Sequence, residues 1–155
     1  MSFSSITKNE LARIPITNDC CKLAELAAMV RMCGTIQISG MNNINIKFTT
    51  ENAAIARRLF TFIKEMYEGD IDVMVRRNKQ LKKNNSYLIV IKDMNISKRL
   101  LVDVGFLNEE DNINILNINY KVNKELLKNR CCRRSYIRGA FLGAGSITNP
   151  EKTYH

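Results

Sequence analysis

From Leu23 to Met32 the chain is apolar at almost every position: Leu23, Ala24, Leu26, Ala27, Ala28, Met29, Val30 and Met32. A helical run with no polar face predicts a buried helix rather than a surface one. Thr17 or Asn18 stands where its N-cap belongs, and Gly34 is placed to close it as a C′ glycine. Past Gly34 the period shortens to two. Thr35-Ile36-Gln37-Ile38-Ser39 and Ile44-Asn45-Ile46-Lys47-Phe48 both alternate, and Gly40-Met41-Asn42-Asn43 joins them, which predicts a hairpin. The helical period then returns through Ala53, Ala54, Leu59, Phe60, Ile63 and Met66, with Thr50 as cap and Gly69 as stop. Asp72 to Arg76 and Tyr87 to Ile91 predict a second hairpin across a basic turn, and Ser97 to Val104 predicts a short helix closed by Gly105.

The order from Cys20 to Gly105 is thus helix, two strands, helix, two strands, helix, an α+β unit. Before it, Ser4 or Ser5 caps a short helix that Pro15 ends. After it, Phe106 to Tyr120 is rich in Asn and Ile, carries Glu109-Glu110-Asp111, and has room for a short strand; Val122 to Asn129 predicts a further short helix. Then an earlier pattern returns. CCRRSYIRGAFLGAGSI, Cys131 to Ile147, repeats CCKLAELAAMVRMCGTI, Cys20 to Ile36, and predicts a helix to Ala144 capped by Gly145. The spacing of the two copies is a whole structural unit, so the chain contains a duplication. The expected organisation is an N-terminal arm over 1–18, a first unit over 19–105, a connector over 106–130 and the start of a truncated second unit over 131–155.

Composition narrows the partners. With a net charge of +9 over 155 residues, an acidic partner is expected, nucleic acid before an anionic membrane surface. The positive charge sits in two segments. Val73 to Lys92 holds Arg76, Arg77, Lys79, Lys82, Lys83 and Lys92 with no acid, and Tyr120 to Arg138 holds seven basic residues against Glu125. Each is +6, so the rest of the chain is net −3. The start, MSFSSITKNELARIP, has no apolar signal core, and no run is long enough to span a bilayer, so no membrane role is expected.

Cys20, Cys21, Cys33, Cys131 and Cys132 read as reduced cytosolic thiols. Two Cys-Cys pairs supply enough sulfur for a zinc site, but structural zinc ligands are usually spaced by at least two residues. Neighbouring residues of a helix point about 100° apart, so the two sulfurs of one pair are not expected to face one ion. The expectation is therefore no metal and no cofactor, with the thiols as small core residues.

Aligned on their Gly-[Ser/Thr]-Ile ends, Leu26-Ala27-Ala28-Met29-Val30-Arg31-Met32-Cys33-Gly34 and Ile137-Arg138-Gly139-Ala140-Phe141-Leu142-Gly143-Ala144-Gly145 resemble the LAGLIDADG motif of homing endonucleases. The predicted αββαββα order matches one half of that fold. MSFSSITKNELAR, TENAAIARRLF, LKKNNSYLIVI and CCRRSYIRGAFLGAGSITNPEKTYH together resemble the WhiA family, bacterial regulators of sporulation and cell division. In that family a degenerate LAGLIDADG domain precedes a helix-turn-helix domain. The resemblance covers essentially the whole chain and implies a cytoplasmic, nucleoid-associated DNA-binding regulator. Family members are about twice this long, so the chain resembles an N-terminal fragment without the helix-turn-helix.

In active homing endonucleases the last acid of each motif reaches a divalent metal; Cys33 and Ala144 stand at those positions, and Arg31 and Leu142 at the earlier acidic ones. None is a carboxylate, and magnesium needs hard oxygen ligands. A nuclease is accordingly disfavoured, and no catalytic residue is assigned. What the motif retains is packing. Ala24 with Ala28, and Gly139 with Gly143, are small-xxx-small pairs that let two helix backbones approach, although Met32 in place of a small residue predicts a looser contact there. The alternative is one buried helix beside any neighbour.

The basic turn RRNKQLKKNN fits phosphate contact by a two-stranded ribbon, through Arg76, Arg77, Lys79, Lys82 and Lys83. The family resemblance, which implies a saddle of hairpins over DNA, points the same way; a solvated loop kept for solubility is the rival. In the second basic segment Cys131, Cys132, Tyr136, Ile137 and Phe141 read as buried, leaving Arg133, Arg134 and Arg138 exposed or paired with acids such as Glu109 to Asp111. A competing function is a protein-interaction platform, or self-association through apolar surface on the repeated helices.

Overall fold

The computed structural model describes residues 2–40, 43–77, 85–108 and 118–152. Among these residues five α-helices and four strands run in the order α1 (Phe3–Leu11), α2 (Asp19–Cys33), β1 (Gly34–Ser39), β2 (Asn43–Thr50), α3 (Ala53–Met66), β3 (Ile71–Arg76), β4 (Ser86–Ile91), α4 (Met94–Asp103) and α5 (Arg130–Ala144). A single turn of 3-10 helix, Lys124–Leu127, precedes α5 where a short α-helix was expected. The fold is α+β, and α2 to α4 form the αββαββα unit read from the sequence.

The sheet is antiparallel throughout, with strand order β1-β2-β4-β3. The two hairpins therefore join through their inner strands, β2 beside β4. Ile44, Ile46 and Phe48 of β2 and Ile89 and Ile91 of β4 turn to one face and are fully buried there with Leu26 and Met29 of α2, Leu59 and Ile63 of α3, and Leu100 and Leu101 of α4. Each such side chain contributes about 1.5–3 kcal/mol by leaving water. One layer of helices on one layer of sheet builds this core, and Phe106 and, from α5, Leu142 join it from outside the unit.

The caps explain the element boundaries, and several differ from expectation. Ser2, not Ser4 or Ser5, caps α1 by accepting from the Ser5 N–H at 3.1 Å. Asn52, not Thr50, caps α3: its side chain accepts from the Ala54 and Ile55 N–H groups, while the Thr50 hydroxyl accepts from the Asn52 N–H. Asp93 starts α4 three residues earlier than the hydrophobic period suggested. At the other end, Gly105 takes φ +86°, its N–H reaches Val102 O, and the Phe106 N–H reaches Leu101 O. That is a Schellman cap, and Phe106 turns back into the core as the motif requires.

Gly34 does not act as a left-handed cap. Its φ is −92° and it already begins β1, so the chain passes from helix to strand without a loop. A Cβ there would lie 2.6 Å from Val30 O, which accounts for glycine at this junction. The strand considered possible in the connector falls on residues 109–117, outside the described residues.

Candidate nucleic-acid interface and helix-pair seam

Cross-strand register sorts the sheet's second face. Thr35, Gln37 and Ser39 of β1 stand opposite Lys47, Asn45 and Asn43 of β2. Lys47 and Thr49 stand opposite Val90 and Leu88 of β4, which in turn face Asp72 and Met74 of β3, with Arg76 opposite Ser86. Paired residues share a face, and this one lies opposite the helix-packed core, with Leu88 at its centre buried all the same. Gln37, Ser39, Asn43, Thr49, Met74 and Arg76 are exposed on it. On the core face the two edge strands are less covered than the inner ones: Ile38 of β1 and Val73 of β3 are exposed, while their partners Ile44 and Ile89 are fully buried.

Arg76 ends β3 and Arg77 follows it, both exposed. Lys79, Lys82 and Lys83 fall outside the described residues. The outer end of the basic segment is less charged than its composition suggested. Lys92 Nζ lies 2.8 Å from Asp72 Oδ2 across the β3–β4 ladder, and this contact raises the lysine pKa. Asp72 sits one residue before the acid-free segment, so counting along the chain missed a partner that strand pairing supplies. Gln37, Asn45 and Lys47 were likewise not singled out. The alternation of β1 and β2 was the available signal, because it separates a polar face from the isoleucines.

Behind the sheet, α5 lies along α2, and the aligned positions of the repeat meet each other. Gly139 packs on its counterpart Ala28: a Cβ at Gly139 would lie 3.1 Å from Ala28 Cβ and only 2.4 Å from Glu25 O. Gly143 packs on its counterpart Met32, where an added Cβ would lie 2.7 Å from Met32 Cβ. The contact at Met32 is thus close, not loose; the glycine opposite provides the room and the methionine end runs out toward solvent. Ala24 is fully buried in a small cluster with Cys21 and Cys132.

A charged group that sequence reasoning passed over lies across this seam. Glu25 is completely buried, and its carboxylate accepts from Arg58 Nε at 2.5 Å and Arg58 Nη2 at 3.0 Å. Arg138 of α5 reaches the same carboxylate at 3.5 Å. Arg58 also donates to Ala12 O and Ile14 O and lies over the Phe62 ring, so one ion-pair network ties the α1–α2 link, α2, α3 and α5 together. Arg138 therefore points inward, unlike exposed Arg133 and Arg134, and reaches Glu25; Glu109, Glu110 and Asp111 lie outside the described residues. The exposed face of α5 carries instead Ile137, at 69% exposure, and Cys131, both expected inside.

At the metal end of the motif the geometry offers little to a hard cation. Cys33 is half-buried, and burial pushes its thiol pKa up to about 11, so it stands as a neutral thiol near neutral pH. Ala144 is exposed and has no ligand atom. Arg31, at an earlier acidic position of the motif, donates to Tyr120 O and Lys121 O and stacks 4.4 Å from the Phe106 ring centroid. It pins the returning connector to α2.

The opposite end differs from expectation. Cys20, Cys21, Cys131 and Cys132 bring all their Sγ atoms within 4.8 Å of one another. Cys21 and Cys132 are buried, Cys20 and Cys131 exposed. Adjacent cysteines on one helix diverge, but the seam sets two helix ends side by side, and each pair contributes from its own side. Burial raises the Cys21 and Cys132 pKa values, while contact with the Cys21 thiol lowers that of Cys131.

Residues 19–107 match the family model of the WhiA N-terminal LAGLIDADG-like domain, and residues 133–155 match that of the WhiA LAGLIDADG-like domain. "Probable cell division protein WhiA" of Alkaliphilus metalliredigens is 55% identical over 155 residues, covering 100% of this chain and 48% of that protein. The protein of the same name from Desulforamulus reducens is 43% identical over 161 residues, covering 100% of this chain and 47% of that one. The chain thus spans about half the length of the curated relatives it matches. Among solved structures, full-length WhiA from Thermatoga maritima superposes with TM-score 0.64 at 22% identity, over 99% of this chain and 43% of that chain. The N-terminal LAGLIDADG domain of WhiA superposes with TM-score 0.68 at 22% identity, over 99% of this chain and 63% of that chain.

Proposed function

The chain belongs to the WhiA family, and from that membership we propose that it is a non-catalytic DNA-binding part of a regulator of cell division, sporulation and chromosome segregation. The observation that carries the DNA reading is the face of the sheet opposite the helix-packed core. It presents Gln37, Asn45, Lys47 and Thr49 beside Arg76, and in sequence Arg77 is followed by the basic stretch with Lys79, Lys82 and Lys83. Cations on a twisted ribbon neutralise phosphates, and amide side chains beside them hydrogen-bond to phosphates or base edges. The reading places the protein in the cytoplasm, associated with the nucleoid. Among the described residues no helix is long and apolar enough to cross a membrane.

The non-catalytic part of the reading rests on Cys33 and Ala144. Neither supplies the carboxylate that magnesium-assisted hydrolysis needs at that place. Magnesium-dependent nicking of supercoiled plasmid by the purified chain would overturn it.

Fluorescence anisotropy of a random duplex, titrated at several salt concentrations, tests DNA binding. The expected outcome is log K falling against log salt with a slope of about −4 to −5, as roughly five phosphate contacts give. Replacing Arg76, Arg77, Lys82 and Lys83 by alanine together should remove most of that slope. No binding at low salt would reject the reading and leave the second one, a protein-interaction platform. The platform reading draws on exposed Ile137 beside the seam, which suits a protein partner or a second copy of the chain.

A further inference from the structure

The four thiols at the head of the helix pair form a built arrangement that the DNA reading does not use. Cys20 and Cys21 are the second and third residues of α2, after the N-cap Asn18; Cys131 and Cys132 are the second and third residues of α5, after the N-cap Asn129. Neither asparagine caps through its side chain. The two pairs occupy equal places on two helices whose equal positions meet along the seam, so they converge at its end. Their contacts close a ring: Cys20 with Cys21, Cys21 with Cys131, Cys131 with Cys132, and Cys132 with Cys20.

We propose that Cys20, Cys21, Cys131 and Cys132 bind one zinc ion, which clasps the first unit to the repeated helix. Zinc bound by four thiolates at about 2.3 Å requires sulfurs about 3.8 Å apart, so the arrangement within 4.8 Å needs only a modest contraction. Two disulfides would instead require each sulfur to abandon one neighbour and approach another to about 2.05 Å. The electrostatics suit an anionic cluster. Two helix N-termini point their positive ends at it, and Arg130 and Arg134 stand exposed beside it on α5. Soft sulfur donors in a tetrahedral set select zinc over magnesium or calcium. Binding converts the thiols to thiolates and releases their protons to solvent. Exposed Cys20 and Cys131 leave the ion a way in.

The test uses the reduced 155-residue chain, titrated anaerobically with cobalt(II) and then with zinc. The expected result is one cobalt per chain, the visible and charge-transfer bands of tetrahedral cobalt thiolate, and displacement of cobalt by one equivalent of zinc. The double variant Cys20→Ser/Cys131→Ser changes only exposed positions and keeps the buried pair, so it should fold. It should bind at least ~100-fold more weakly, the upper end of what even outer-shell changes cost. An octahedral cobalt spectrum, no cobalt binding, or unchanged affinity in the double variant would each overturn the proposal. So would recovery of the chain with both cysteine pairs as disulfides under conditions that keep Cys33 reduced. None of these outcomes depends on whether the chain binds DNA.

Discussion

Helices α2 and α5 carry one sequence pattern and live in two environments. Leu26 and Ile137 hold the same place in the repeat, yet Leu26 is 0% exposed and Ile137 is 69% exposed. Ala27 is buried where Arg138 is part-exposed, and Met29 is buried where Ala140 is half-buried. The difference is what lies beyond each helix. On the far side of α2 is a four-stranded sheet with two more helices on it; α5 has no sheet of its own among the described residues. On the shared side the two helices are alike, because Gly139 meets Ala28 and Gly143 meets Met32. A repeat therefore keeps its contacts at the seam and takes its burial from whatever layer each copy finds.

The contrast can be broken most severely at Glu25. Its carboxylate serves Arg58 and Arg138 from a completely buried position on α2, so Glu25→Ala leaves two cations without their partner. The expected loss is about 3–5 kcal/mol, read from urea unfolding. The same substitution at Tyr136, its counterpart in the repeat, should cost clearly less, since that side chain is only half-buried.

A second distinction should appear in alkali. Cys33 at the end of α2 titrates at about 11 in the folded chain against an ordinary value of 9.0, while its counterpart in α5 is Ala144 and cannot titrate. A thiol raised in the folded state supports folding below pH 9 and withdraws that support as pH rises through 11. The span corresponds to about 2–3 kcal/mol. Denaturation of the chain and of Cys33→Ala, compared at pH 8 and pH 11, should show a smaller alkaline loss in the variant.

At the seam itself, Gly139→Ala places a methyl against the Glu25 carbonyl, a backbone atom that cannot swing aside. A loss of about 1–3 kcal/mol is expected from the melting midpoint, despite alanine's better helix propensity. The smallest effect belongs to the open face of α5. Ile137→Asn should change monomer stability by less than about 0.5 kcal/mol. If self-association uses that face, sedimentation should show less of it in the variant than in the parent chain; a parent that is a clean monomer at high concentration would rule the face out as a self-contact.

Much of the fold was legible because its signals are local. The period of two in Thr35 to Phe48, the apolar run of α2 and the stop glycines need only neighbours in sequence to be read. Caps were less legible: Ser2 and Asn52 took the place of nearby residues that can also cap, and Asp93 started α4 before its hydrophobic period began. Of the candidate site, the seam glycines and the arginines at the end of β3 came from pattern and composition. The Glu25 network did not, because an acid in a helix gives no sign in sequence of the arginine 33 positions away that holds it.

The amino-acid order alone determined the element types, the duplication, the excess of positive charge and the absence of acids from Cys33 and Ala144, all properties of residues and their spacing. Tertiary structure alone decided which copy of the repeat is buried, that Lys92 pairs with Asp72, and that four thiols from two distant pairs share one place. The physical reason is that burial, ion pairing and metal geometry depend on distances in space, and those are set only when helices pack and strands find their register.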